Sequence, residues 1–127
     1  MPVQLNHHIV LAKDNEATAR FYVEILGVTI AGRLGPFVAV SLDNEVTLDF
    51  MNAGDAPIPP QHYAFKVADQ EWDEIFSRIR ERGLDYWADP FHNHPGTHNT
   101  DYGGRGVYFE DPNGHSLEIL TADYELH

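Results

Sequence analysis

The side chains best suited to chemistry in this chain are imidazoles and carboxylates that recur at matching places in two similar stretches. One stretch is NHHIVLAKDNEATARFYVEILG from Asn6, and the other is QHYAFKVADQEWDEIFSRIRERG from Gln61. With His7 laid on His62, Asp14 falls on Asp69, Glu16 on Glu71 and Phe21 on Phe76. Each stretch ends its helix pattern at a glycine, Gly27 or Gly83, one residue out of step. Further on, TLDFM aligns with SLEIL, which sets Asp49 at the position of Glu118. The repeat therefore supplies two histidines and two carboxylates. A divalent ion is a physical reason to gather such groups. Neutral imidazole and carboxylate suit Zn, Mn, Fe, Co or Ni, and two His with one carboxylate leave positions open for water or substrate.

The elements that must carry these groups follow from the same stretches. Residues 4–11, rich in Leu, Ile and Val, read as a strand. Asp14 is a helix N-cap, Glu16 lies in the first turn where negative charge suits the helix dipole, and Gly27 closes a helix over 14–26. Strands are expected at 28–34, 37–42 and 45–51, the last two joined by a tight turn at Asp43-Asn44. The proline-rich segment 52–60 reads as a linker. The order then repeats: a strand at 61–67, a helix over 70–82 with Trp72, Ile75, Phe76 and Ile79 at helical spacing, a strand at 84–88, a long loop from Asp89 to Gly104, and strands at 105–110 and 115–121. The chain is thus a tandem βαβββ repeat, about 4–51 and 61–121, within one domain of 1–127.

Alternation along the strands decides which side chains share a face. Tyr63, Phe65 and Val67 form the greasier side of their strand, which leaves His62 opposite with Ala64 and Lys66. Leu117 and Ile119 oppose Ser116, Glu118 and Leu120. Val46, Leu48 and Phe50 oppose Thr47, Asp49 and Met51. The candidate ligands therefore sit away from the helix-packing face. A lone strand histidine is ordinarily a hydrogen-bonded structural residue, and His8, which alternates with Val10 and Ala12, is expected to pack. The joint pattern of His7, His62 and Glu118 calls for more.

Composition narrows the classes. With 127 residues and 43% hydrophobic content, the chain suits one compact globular domain. It has no cysteine, so disulfides, thiolate ligands and a Cys nucleophile are excluded. No apolar run has membrane-spanning length, and no signal pattern opens the sequence, so a cytoplasmic location is expected. A formal charge of −12 repels nucleic acid and anionic membrane surfaces. The same charge suits either solubility or a cationic ligand. GGRG lacks the strand–turn–helix setting of a phosphate loop.

The opening LNHHIVLAKD with FYVEILG, the stretch QHYAFKV, and above all the ending GRGVYFEDPNGHSLEIL resemble the vicinal oxygen chelate superfamily. That superfamily includes glyoxalase I, fosfomycin resistance proteins, extradiol dioxygenases and bleomycin resistance proteins, and the resemblance covers nearly the whole chain. It implies an α+β fold in which tandem βαβββ modules form a curved mixed sheet around a cavity, with the helices on the outer faces. It implies one divalent metal ion (Zn, Fe, Mn, Ni or Co) held by His7, His62 and Glu118. Asp49 stands where glyoxalase I-like members carry a fourth ligand. One methylene shorter than Glu, it either ligates or acts through a water or a neighbouring ligand. Tyr108 looks like the tyrosine that contacts substrate in fosfomycin-type members, or else a half-buried aromatic. Arg105 holds an anionic group or forms a surface ion pair. The loop histidines His92, His94 and His98 lie on a segment of lid length, and one of them is a candidate proton shuttle.

Three functions compete. The first is a metal-dependent enzyme using Lewis-acid chemistry on a small oxygen-bearing substrate, as an isomerase, lyase or thiol-addition catalyst. The second is an extradiol-type Fe(II) dioxygenase, since two His and a carboxylate with open positions is the non-haem iron arrangement. The third is a non-catalytic, bleomycin resistance-type binding protein, which the acidic charge would suit. A homodimer with a small-molecule substrate is expected, without nucleic acid or membrane.

Overall fold

A computed structural model describes residues 2–126. The chain divides between Pro59 and Pro60 into two compact units, and each is one βαβββ repeat. The first holds β1 (His7–Ala12), α1 (Asn15–Leu26), β2 (Thr29–Leu34), β3 (Phe37–Ser41) and β4 (Thr47–Asn52). The second holds β5 (His62–Lys66), α2 (Asp69–Glu81), β6 (Tyr86–Trp87), β7 (Gly106–Glu110) and β8 (Ser116–Leu120). Their sheets have the same strand order, β1-β4-β3-β2 and β5-β8-β7-β6. In each, the first strand runs parallel to the last and the other pairs are antiparallel. Among the described residues no helix is long and apolar enough to cross a membrane.

Helix α1 begins as its sequence requires. The Asp14 carboxylate accepts from the Ala17 N–H at 3.1 Å, satisfying one of the orphan donors of the first turn. It ends at Gly27, whose φ of 77° is the left-handed conformation that a β-carbon disfavours. Helix α2 departs from the repeat. It starts one residue earlier than expected, capped by the Ala68 backbone with no side-chain bond, so Asp69 falls inside the helix.

In the first unit the helix-side residues Val10, Ala12, Val38, Val40, Leu48 and Phe50 are buried with Ala19, Tyr22 and Ile25 of α1. In the second, Val107, Phe109, Leu117 and Ile119 are buried with Trp72, Ile75 and Ile79 of α2. Strand alternation is thus realised as read, with Thr47, Asp49 and Met51 left half-buried on the other side of β4. His8 is the exception on its face. It lies at the exposed end of β1, where only Val10 and Ala12 reach the core.

Two connections differ from expectation. The turn between β3 and β4 is longer than the two residues Asp43-Asn44. The Glu45 N–H bonds to the Leu42 carbonyl at 3.3 Å, and Glu45 itself has φ of 66°. This is a turn followed by a left-handed residue, the usual three-residue hairpin. Its counterpart between β7 and β8 is built alike, with the Gly114 N–H on the Asp111 carbonyl at 3.1 Å and Gly114 at φ of 87°. Glu45 therefore occupies a glycine's place. Strand β6 keeps only two of the five expected residues, because Ala88 already bonds across the following loop to the His94 carbonyl at 3.0 Å.

Candidate metal centre

Strand register fixes the candidate ligands within each unit. His7 pairs with Thr47 and Ile9 with Asp49, as His62 pairs with Ser116 and Ala64 with Glu118. Asp49 thus stands to His7 as Glu118 stands to His62. In the second unit this relation closes into a contact, with His62 Nε2 lying 3.2 Å from Glu118 Oε1. In the first unit Asp49 Oδ1 accepts from Thr47 Oγ1 at 2.8 Å, and His7 Nδ1 lies 2.7 Å from Asn6 Oδ1. The missing methylene is a sufficient reason for the difference. Within neither unit do three or more His, Asp or Glu side chains gather into a metal-sized cluster among the described residues.

The tautomer of His62 follows from its other nitrogen. Nδ1 lies 3.1 Å from the Ser116 carbonyl, which can only accept, so Nδ1 carries hydrogen and donates. In the neutral ring Nε2 is then a lone pair facing a carboxylate, and two acceptors that close require a cation between them. A proton serves, and so does a metal ion. The 3.2 Å separation suits two donors at ~2.0–2.2 Å from one ion, at an angle of about 100°. The pair fits a divalent metal in donor type, in tautomer and in spacing.

Supporting groups hold this pair. Glu118 is 2% exposed, and the Tyr124 hydroxyl donates to its Oε1 at 2.6 Å. Tyr108, opposite Glu118 in the β7–β8 register, stacks its ring at 5.8 Å from that of His62. Burial, the hydrogen bond to Tyr124 and the Glu118 charge hold the Tyr108 hydroxyl far above the ordinary phenol range. That shift favours the protonated phenol, a group that can donate or accept a hydrogen bond. The start of β5 is pinned by the fully buried His115, whose Nδ1 accepts from the Gln61 N–H at 3.0 Å.

Arg105 forms the ion pair. Its guanidinium reaches Asp73 at 2.5 Å, Asp69 Oδ1 at 3.2 Å and the Asp69 carbonyl at 2.9 Å, and it lies 4.3 Å over the Trp72 ring. It also lines an open cleft of about 570 Å³ with Val67, Asp69, Gly104 and Thr121. Two carboxylates answer its charge there.

The loop from Asp89 to Gly104 is tied at several points. The Asp89 carboxylate accepts from the Asn93 and His94 N–H groups at 3.0 and 2.8 Å. The Asn99 amide donates to the Ala88 carbonyl at 2.8 Å. His92 stacks flat on Trp87 with ring centroids 3.6 Å apart. His98 packs edge-on against Trp72 and Phe76, at 5.1 and 5.8 Å. His94 is exposed. Sequence reading missed Tyr124 and His115. Tyr124 belongs to an aperiodic tail, but the buried His115 abuts the DPNG turn that gave the ending its specificity.

The model of the Glyoxalase/Bleomycin resistance protein/Dioxygenase superfamily matches residues 4–119, and the chain belongs to that family. Among solved structures it is similar to the oxidase ChaP-H1, with 60% identity, TM-score 0.94, and 98% of this chain and 100% of that one covered. It is also similar to the oxidase ChaP-H2, with 56% identity, TM-score 0.95, and 98% and 97% covered. The glutathione transferase FosA of Serratia marcescens is 30% identical over 91% of this chain and 78% of its own.

Proposed function

We propose that this chain is a divalent-metal-dependent oxidase acting on a small oxygen-bearing organic substrate, with dioxygen as the electron acceptor. The metal reading rests on the convergence of His62 Nε2 and Glu118 Oε1 at 3.2 Å, with Nδ1 committed to a carbonyl. His7, the counterpart of His62 in the first repeat, is the proposed third ligand, and Asp49 a weaker contributor. When bound, the ion supplies Lewis acidity that polarises an oxygen substituent of the substrate. Tyr108, its ring stacked beside that of His62, offers its hydroxyl to that substrate. His94, exposed on a loop anchored on both sides of it, is the candidate to carry a proton between site and solvent. The oxidation reading rests on the similarity to the two ChaP oxidases over nearly the whole chain.

Thiol addition is the second reading, favoured by the similarity to FosA. Protein dialysed against Fe, Mn, Ni, Co or Zn should retain one of them near one per chain. The loaded form should consume dioxygen with small enediol, catechol or quinol substrates. Adduct formation with glutathione, without oxygen uptake, would establish the thiol reading in its place. Retention of none of the five metals would leave the acidic, non-catalytic binder as the better account.

The chain is further proposed to work in the cytoplasm as a homodimer. Ile9, Ile30 and Leu34 are exposed on the strands β1 and β2 at the two edges of the first sheet, where unpaired backbone invites a partner. Light scattering should give twice the 14.4 kDa chain mass. A monomer at working concentrations would refute it.

A further inference from the structure

The segment after β8 has no regular structure, yet its route is fixed. The Thr121 N–H bonds to the Arg105 carbonyl at 3.0 Å, and the Thr121 hydroxyl accepts from the Arg105 N–H at 2.9 Å. A β-carbon on Gly104 would lie 2.6 Å from Thr121 Oγ1 and 2.7 Å from the Ala122 β-carbon, so the tail is seated close against that glycine. Farther along, the Tyr124 ring packs on Tyr102 at 5.4 Å, and its hydroxyl reaches Glu118 Oε1 at 2.6 Å.

The oxygen that Tyr124 binds is the one that faces His62. A carboxylate oxygen has two lone pairs. A phenol held on one of them leaves the other for whatever lies toward Nε2, and it restrains rotation of the carboxylate about its terminal bond. We infer that Tyr124 is a positioning residue: its hydroxyl fixes the Glu118 carboxylate in the orientation that presents one oxygen to the cation shared with His62. The inference rests on the proposed metal reading, and it makes the tail after β8 part of the site. That tail lies beyond residues 4–119, the span that matches the family.

Titration calorimetry with Mn²⁺ and Zn²⁺ on wild type, Tyr124→Phe and Tyr124→Ala tests this, with thermal melting of each variant as the check on folding. The phenylalanine retains the ring on Tyr102 and removes only the hydroxyl. Outer partners of metal ligands typically contribute ~10–100-fold in affinity. Both variants should therefore bind about 10–100-fold more weakly, with Tyr124→Phe melting within a few degrees of wild type. Wild-type affinity in Tyr124→Phe, with loss only in Tyr124→Ala, would assign Tyr124 a packing role and overturn the inference. Equal affinity in all three proteins would overturn it as well while leaving the metal reading intact. Failure of wild type to bind either ion or any of the other three metals would overturn both.

Discussion

Glu118→Gln and His62→Ala should each lose divalent metal while remaining folded. Glu118 is buried, and its charge is answered by Tyr124 and by whatever cation sits toward His62. Glutamine keeps the volume and an oxygen for the Tyr124 hydroxyl but carries no charge, so the loss falls on metal binding rather than packing. Removing His62 deletes a side chain that is 46% exposed, and the carboxylate left behind keeps its bond to Tyr124. An outer partner is worth ~10–100-fold in metal affinity, and a ligand should exceed the upper end of that range. Asp49→Ala should fall within it, because Asp49 is held by Thr47. His8→Ala, at the exposed end of β1, should bind as wild type does. Elemental analysis after dialysis, with circular dichroism for folding, measures all four. Stoichiometric metal in Glu118→Gln would remove the proposed site.

The face that carries these candidate ligands was legible because strand alternation is a local rule. Leu117 and Ile119 had to point at a helix, so Glu118 could not. The match of Asp49 to Glu118 followed from the repeat, and the registers Ile9–Asp49 and Ala64–Glu118 bear it out. Asp14 and Gly27 were legible as caps because their backbone geometry demands those residue types. What escaped reading depends on contacts between residues distant in sequence. Asp69 looked like a second Asp14, but it turned to Arg105, 36 positions away, and left the cap to the backbone of Ala68. The loop after Asp89 carries many glycines and polar residues, the composition of a mobile lid. The Asp89 carboxylate caps two of its backbone N–H groups, and Trp87 and Trp72 give its rings places to pack. Tyr124 follows a strand and precedes no pattern, so only the fold relates it to Glu118.

Trp72→Ala should be the most damaging single change in the second unit. The indole is 1% exposed, and four groups depend on it. Its Nε1 donates to the Ile119 carbonyl at 3.3 Å, next to Glu118. Phe76 and His98 pack on its ring at 4.8 and 5.1 Å, and the Arg105 guanidinium covers it at 4.3 Å. Emptying a buried tryptophan site costs ~3–5 kcal/mol. The cation–π contact adds ~0.5–2 kcal/mol, toward the low end because Arg105 is partly exposed. Against the ~5–15 kcal/mol that holds a typical domain together, the loss is a large fraction of total stability. A melting temperature lower by ~10–20 °C is expected, on a scale of a few degrees per kcal/mol. Trp72→Phe restores most ring contacts but not the indole hydrogen bond, and should recover more than half of the deficit. Metal affinity should fall less in Trp72→Phe than in Glu118→Gln, because Trp72 touches the backbone beside Glu118 and not its carboxylate. A Trp72→Ala protein melting within ~3 °C of wild type would show that α2 and the loop carrying His98 are held by other contacts.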